Sequence, residues 1–464
     1  MENKTMIRFL RIIGLMLSII TVCNPIVAQD VEDLQKIAAS QDGASPLFFE
    51  INHQQIPLIE PGTFYDDEEC TVRKGFADFF KKINQEKPAT VAFIGGSITQ
   101  GNYCYRLQTA KYLQTAYPET PFKWINAGVS GTGTDLGAFR LKEQVLAYQP
   151  DLIFIEFAVN KAYAEGMEGM IRQIIRHHPH TDICLVYTIL QGQTLTYQKG
   201  LIPENILRLE KLADYYGLPS IHLGMEAAYL EKSGGLVWKA DKPMADKILF
   251  SKDGIHPLEA GGNLYAAAIA RGLEKLKGHT EALFVHTLKQ PLLSDKWEHV
   301  TMVEPWDAAK FDNKWHKIET RTSPHLKKFA NWFDHIACAE DAGAAFTFRF
   351  KGDMFGLFDI GGPEVGQLEF EVDGKKVLLE QHSSSELIYY AANESAGLPR
   401  LNRFNVFCNN RYRGQHDLIL LASGEHTVKV IISPTKSDKK KILGDIGINS
   451  SSPITSAAAF ASIL

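Results

Sequence analysis

Val91-Ala-Phe-Ile-Gly-Gly-Ser-Ile-Thr99 carries a short apolar run straight into two glycines and a serine. A run of this length, bounded by glycine, reads as a buried strand, and Gly95-Gly96 permit a tight turn at its end that exposes Ser97. Similar runs recur at Lys123–Asn126, Leu152–Phe157, Ile183–Thr188 and Ser220–Leu223, with the first spanning Thr90–Ile94. Between them lie amphipathic stretches at Tyr103–Ala116, Asp135–Ala147, Met167–Arg176, Glu204–Tyr216 and Glu259–Lys277. Strands that are apolar throughout and alternate with helices form a parallel sheet covered on both faces. The expected core is therefore an α/β domain, a three-layer α/β/α sandwich over residues 88–280.

The flanks differ in pattern. Residues 29–87 form a less regular lead-in, with a strand pair around Leu47–Ile56 and a helix at Arg73–Ile83. After about residue 280 the apolar positions alternate strictly, as in Phe346, Phe348 and Phe350, in Leu368, Phe370 and Val372, and in Val428, Val430 and Ile432. The second set runs into Asp373-Gly374, a hairpin signal. Residues 281–449 are thus expected to form an antiparallel β-sandwich domain, joined by a linker near 278–295. The small, polar stretch 450–464 reads as a disordered tail.

The chain has 464 residues, 45% hydrophobic and 22% charged, the composition of an ordinary globular protein. That length favours two domains. A formal net charge of -5 leaves no global basic field for nucleic acid. Lys4, Arg8 and Arg11 precede an apolar run from Ile12 to Val22, and Val27-Ala28 precede Gln29-Asp30. Residues 1–28 thus read as a Sec-type signal peptide cleaved after Ala28, with a core too short to span a bilayer comfortably. The expected location is periplasmic or extracellular. Lipidation at Cys23 is the competing reading, but Val22 stands where a small residue is expected. No later run is apolar enough for a transmembrane segment. Cys70, Cys104, Cys184, Cys338 and Cys408 are too irregularly spaced for a disulfide framework or a C-x-x-C motif.

Phe250-Ser-Lys-Asp-Gly-Ile-His-Pro257 sets Asp253 and His256 three residues apart before a helix. A serine hydroxyl needs a base to take its proton and donors to receive the oxyanion that follows, so Ser97 with this pair makes serine-hydrolase chemistry the leading reading. Asn126-Ala-Gly-Val-Ser-Gly-Thr-Gly-Thr-Asp135 is a Gly-rich loop that can aim a backbone N–H, and Phe154-Ile-Glu-Phe-Ala-Val-Asn160 ends a strand on a side-chain amide. Each segment also fits a plainer role: Ser97 as a helix cap, Thr134 or Asp135 as a cap, Asn160 as a loop residue. Neither a dinucleotide fingerprint nor a P-loop is present. His177-His-Pro-His180 reads as a solvated turn rather than a zinc site, and Glu156 as a buried, hydrogen-bonded carboxylate. Trp238 and Tyr103 fit core packing better than stacking on a sugar ring.

Taken together and in this order, the segments resemble the four sequence blocks of the SGNH (GDSL-like) hydrolase family: Gly95-Gly-Ser-Ile-Thr99, the Gly-rich loop, Val159-Asn160, and Asp253-Gly-Ile-His-Pro257. The resemblance spans about residues 88–277 and implies a flavodoxin-like fold. It implies Ser97 as nucleophile, His256 as general base and acid, and Asp253 as the group orienting His256. It also implies an oxyanion hole from the Ser97 N–H, the Gly131 N–H and the Asn160 side chain. Gly131 follows from the family's Asn-x-x-x-x-Gly frame, with Gly128 as the fallback. Gly-Gly-Ser-Ile replaces Gly-Asp-Ser-Leu, and Lys161 follows Asn160 where many relatives have Asp, which puts substrate preference in doubt more than catalysis. The α/β-hydrolase elbow Gly-x-Ser-x-Gly does not fit, because Thr99 takes the second glycine's place.

The expected activity is that of an exported serine esterase acting through an acyl-enzyme, without cofactor or metal. Its expected substrate is an acylated carbohydrate, because family members carrying an appended β-sandwich resemble polysaccharide deacetylases. A lipid or aryl esterase, or a lysophospholipase, is the alternative enzyme. A non-catalytic carbohydrate-binding protein on a hydrolase fold is the alternative of another class.

Overall fold

The computed structural model describes residues 47–463, apart from 243, 280–284, 325, 331, 385, 410–411 and 445–457. The expected signal peptide lies outside the described residues, as do most of the expected linker's first half and the start of the expected tail. Residues Ala38–Leu464 form one compact unit.

The α/β part is built on a seven-stranded sheet of order β1-β4-β3-β5-β6-β7-β2, where β1 is Phe48–Phe49, β2 Cys70–Thr71, β3 Ala89–Gly95, β4 Phe122–Gly128, β5 Leu152–Glu156, β6 Asp182–Tyr187 and β7 Ser220–His222. The five central strands are parallel, and the two short edge strands run antiparallel to β4 and β7. Every residue of β5 and β6 is buried, which is why these strands read as unbroken apolar runs. The strand pair expected at Leu47–Ile56 is reduced to β1 alone, which borrows its ladder from β4 instead of forming a hairpin.

The helices are α1 (Ala77–Asn84), α2 (Ser97–Gln100), α3 (Arg106–Ala116), α4 (Thr134–Gln144), α5 (Ala164–His177), α6 (Thr194–Tyr197), α7 (Glu204–Tyr216), α8 (Met225–Lys232) and α9 (Glu259–Lys277). In α7 the buried positions Ile206, Leu209, Leu212, Ala213 and Tyr216 follow the helical repeat. Pro203 precedes its first turn and Gly217, at φ 72°, ends it. Helix α4 packs on α5 and α5 on α7, while α3 packs on α9, giving the two outer layers. A pair of parallel strands that the sequence reading missed, β8 (Leu236–Lys239) and β9 (Ile248–Ser251), leads into the Asp253 segment.

The C-terminal part contains β10 (Ala309–Phe311), β11 (His316–Glu319), β12 (His335–Ala339), β13 (Ala345–Gly361), β14 (Gln367–Val372), β15 (Lys375–Ser383), β16 (Ile388–Asn393), β17 (Leu401–Asn402), β18 (Arg413–Ile432) and β19 (Ala458–Ile463). Asp373 and Gly374 both have positive φ, 52° and 82°, and make the tight turn between β14 and β15. The expected sandwich is realised as one sheet folded back on itself. Strands β13 and β18 pair along their whole lengths, with a register shift between Gly352 and Met354. The two halves of β18 then pair with different neighbours: Ile419 and Leu420 with β16, and Leu368–Val372 of β14 with its far end. The path β18-β16-β15-β14-β18 closes, barrel-like, and its β16–β18 step is parallel. Ala458–Ile463 pair with β12 and β13, so this end of the expected tail is a strand.

The two parts share a core. One apolar cluster runs from the parallel sheet through Trp297 to Phe329, Phe333, Phe358, Ile360 and Leu418. The described end of the expected linker is strapped to α5: Glu168 accepts the backbone N–H groups of Leu292, Leu293 and Ser294, and Arg172 donates to Glu298 at 2.6 Å.

Candidate active site

Ser97, Gly131 and Asn160 follow the carboxyl ends of β3, β4 and β5, the edge of a parallel sheet where loops meet. The order β4-β3-β5 makes β3 the point where the chain reverses its direction of travel, and Ser97 sits there. It opens α2, so its backbone N–H is among the first-turn donors that a helix cannot satisfy itself.

The turn before Ser97 is crowded. A Cβ on Gly95 would come within 2.1 Å of Thr99 Oγ1 and 2.5 Å of the Glu156 carbonyl. One on Gly96 would lie 2.2 Å from Asn160 Oδ1 and 2.8 Å from its Nδ2, so the Asn160 amide lies directly against the turn. Asn160 Oδ1 is buried and has no hydrogen-bond partner among the described residues. Lys161 and Ala162, which follow it, both adopt left-handed backbone, φ 67° and 50°. Such strain costs on the order of 1 kcal/mol per residue and concentrates at functional turns. Glu156, fully buried, receives the hydroxyls of Thr99 at 2.9 Å and Thr188 at 2.5 Å. Burial raises its pKa. It ties β5 to the Ser97 turn, the hydrogen-bonded role that the sequence suggested.

His256 Nε2 lies 2.7 Å from Ser97 Oγ, and His256 Nδ1 lies 2.5 Å from Asp253 Oδ2. The other oxygen of Asp253 accepts the backbone N–H groups of Ile255 and His256, each at 2.8 Å, and the Ser251 hydroxyl at 2.9 Å. Burial opposes its charge, but the bond and charge of His256 and these backbone donors outweigh it and hold the carboxyl well below the usual range. The arrangement can pass a proton from serine to imidazole and hold the resulting imidazolium against a carboxylate.

Supports for this segment were not visible in sequence. Trp238 is buried, stacks on Phe250 at a centroid distance of 4.0 Å and donates its indole N–H to the Gly254 carbonyl at 3.0 Å. It braces the Asp253 segment and is unavailable to a sugar. Tyr103 turns back with φ 64°, and its carbonyl accepts from Gln108 at 2.7 Å.

The Gly128 N–H is taken by the Asn126 side chain at 3.1 Å, and a Cβ on Gly128 would meet the Gln100 amide at 2.3 Å. Gly128 is therefore packed behind α2. Gly131 lies further along the loop, at φ 73°, a conformation that suits glycine. The loop around it is held by Val129 N–H on the Gly95 carbonyl at 3.0 Å and Ser130 N–H on Gln100 Oε1 at 2.6 Å.

A groove of about 400 Å³ opens at the Ala158–Ala162 turn, where the apolar Val159, Leu190 and Pro203 stand beside Lys161, Gln193, Asn205, Arg208 and, from the C-terminal part, Glu386. Arg208 and Glu386 pair across it. His178 and His180 bond separately, to the Leu146 carbonyl and to Asp78. Among the described residues no three His, Cys, Asp or Glu side chains cluster as metal ligands, and the five cysteines are free. No described helix is long and apolar enough to cross a membrane.

Two solved structures are similar to the chain over both parts. One, a two-domain esterase active on acetylated mannans and co-crystallised with mannopentaose, has a TM-score of 0.60 at 21% identity and covers 85% of this chain and 96% of its own. The other, a two-domain esterase active on acetylated mannans, has a TM-score of 0.60 at 20% identity, with coverage of 85% and 97%. At this identity they show a shared fold. No curated protein matches the chain. Residues 93–264 match the GDSL-like Lipase/Acylhydrolase family, a stretch that begins in β3 and ends in α9 and so takes in the Ser97 turn, the Gly131 loop, Asn160, Asp253 and His256. Over that stretch, a little over a third of its length, the chain is similar to the GDSL-like lipase/acylhydrolase family.

Proposed function

We propose that the chain is an exported carbohydrate esterase that removes acetyl groups from a polysaccharide or glycan through an acyl-enzyme on Ser97. The observation that carries the reading is the unbroken relay from Ser97 Oγ through His256 to Asp253, at 2.7 and 2.5 Å. In this mechanism His256 Nε2 takes the serine proton as Oγ attacks the acetyl carbonyl, and Asp253 holds the imidazolium. The oxyanion is received by the N–H groups of Ser97 and Gly131 and by the Asn160 side-chain amide. His256 returns the proton to the departing sugar hydroxyl. It then activates a water that attacks the acyl-enzyme and frees acetate and Ser97.

The structural neighbours that share both parts act on acetylated mannans, which places acetylated mannan first in the substrate panel.

The test is acetate release from acetylated polysaccharides by the wild type and by Ser97→Ala. Expected is turnover on at least one polysaccharide and its loss by about 10⁶-fold in the variant. Full activity in Ser97→Ala would overturn the mechanism. Turnover of para-nitrophenyl acetate and long-chain esters without release from any polysaccharide would favour a lipid or aryl esterase. Binding of glycan with no turnover of any ester would favour a carbohydrate-binding protein.

A further inference from the structure

We infer that the C-terminal part of the chain positions the oxyanion loop, through Arg413 at Gly131 and His416 at Asp135. The inference rests on the reading of Gly131 as an oxyanion donor.

A loop that must aim one N–H at a developing charge has to be held at both ends. Its start is anchored inside the α/β domain, by Val129 on Gly95 and Ser130 on Gln100. Its middle and far end meet β18 of the other part. A Cβ on Gly131 would lie 2.3 Å from Arg413 Nη2, so the guanidinium rests on the bare glycine backbone. Four residues further, Asp135 Oδ2 lies 2.8 Å from His416 Nε2, with both side chains largely buried. Asp135 is the second residue of α4, directly after the Gly131-Thr-Gly133 loop. Burial opposes charge on both partners, yet each favours the ionised form of the other, raising the pKa of His416 and lowering that of Asp135.

Arg413 and His416 open the same strand, and that strand is rigid where they leave it. Residues Arg413–Leu420 pair with β13, and the neighbouring Arg403 is buried in ion pairs with Asp359 and Asp417. Arg413 Nε also lies 3.4 Å from the Gly414 carbonyl, and its guanidinium sits over Phe407 at 5.2 Å. The cation is thus fixed from its own side, and the loop is pressed between two firm bodies. Arg413 is a positioning residue in this account: it acts through the Gly131 backbone.

The test is steady-state kinetics of Arg413→Ala, Arg413→Lys, His416→Asn and Gly131→Ala on para-nitrophenyl acetate, whose leaving group makes no polysaccharide contacts, with thermal melts of each. Expected for Arg413→Ala is a kcat lower by 10- to about 100-fold, the scale of a small misplacement of catalytic groups, with KM within about twofold. Arg413→Lys should recover most of the loss and His416→Asn should share its direction. Gly131→Ala keeps the backbone N–H but drives a Cβ against Arg413, so full kcat in it shows that the seat of the loop does not set the rate and overturns the inference, while the esterase reading itself stands or falls with Ser97→Ala. If Gly131→Ala loses kcat while Arg413→Ala does not, the inference alone is overturned. A rise in KM confined to polysaccharide also overturns it, making Arg413 a substrate contact. Should Arg413→Ala not fold, Arg413→Gln, close in length and uncharged, is read in the same way.

Discussion

Asp253 grips His256 twice: one carboxylate oxygen lies 2.5 Å from the imidazole Nδ1, and the other accepts the backbone N–H of the same residue at 2.8 Å. The ring is therefore fixed in tautomer and in position by a single side chain three residues away. Asp253→Asn would keep an acceptor for the backbone but present an N–H to Nδ1, which favours the tautomer with its proton on Nε2, facing serine. The expected result is a kcat on para-nitrophenyl acetate lower by about 10⁴-fold with the fold retained, checked by kinetics beside circular dichroism.

Asn160 and Gly96 touch, and this contact makes their mutations interdependent. In the proposed mechanism Asn160→Ala removes one oxyanion donor and should lower kcat by about 10²–10³-fold with little change in KM. Gly96→Ala puts a methyl group where the Asn160 amide lies and should push that amide away. The double variant should be no worse than the poorer single one, because both lose the same donor. Kinetics of the three variants check this, and multiplying losses would contradict it.

Trp238 separates bracing from catalysis. Trp238→Phe keeps the stacking on Phe250 and loses the bond to the Gly254 carbonyl, so a cost of about 1 kcal/mol is expected. Trp238→Ala empties a buried site and should cost about 3–5 kcal/mol. Urea unfolding measures both. The smaller change should also lower kcat a few-fold, because Gly254 lies between Asp253 and His256.

Two buried histidines shape stability against pH in opposite ways. Burial pushes His222 down to about 4 from 6.5, so the unfolded chain binds a proton that the folded one refuses. Its contribution is present above the unfolded value and is lost as pH falls through the folded one, about 3 kcal/mol in all. His416 is raised by Asp135 despite its burial, so its contribution is present below the unfolded value and is lost as pH rises through the folded one. Unfolding free energies across pH should therefore show a shallower acid slope in His222→Gln, with His286, also pushed down to about 4 by burial, supplying part of what remains, and a shallower alkaline slope in His416→Asn. An unchanged acid slope in His222→Gln would refute the first assignment.

Much of the α/β domain was legible because its signals are local. Glu204–Tyr216 and Glu259–Lys277 come out with the bounds that periodicity suggests, and Asp373-Gly374 makes the expected turn. Residues Ser97, Asp253 and His256 could be named because their motif spacing carries them to one sheet edge. The closed C-terminal sheet was not legible. Alternation shows that β13 and β18 are strands, but that Ile419 and Leu420 of β18 take β16 as partner while Val428–Ile432 take β14 follows from how distant strands pack together, not from the residues of β18.

By itself the sequence determined the layered core, the order of the loops along the parallel sheet's edge, and the identity of the three groups that meet there. These depend on patterns a few residues long, where side-chain chemistry and helical or extended spacing act directly. Only the tertiary structure decided that Trp238 braces the Asp253 segment, that Asn160 lies against Gly96, and that Arg413 rests on Gly131 nearly three hundred residues away. Contacts of that kind arise when separate elements pack into one body, and close packing selects partners by shape and position rather than by nearness along the chain.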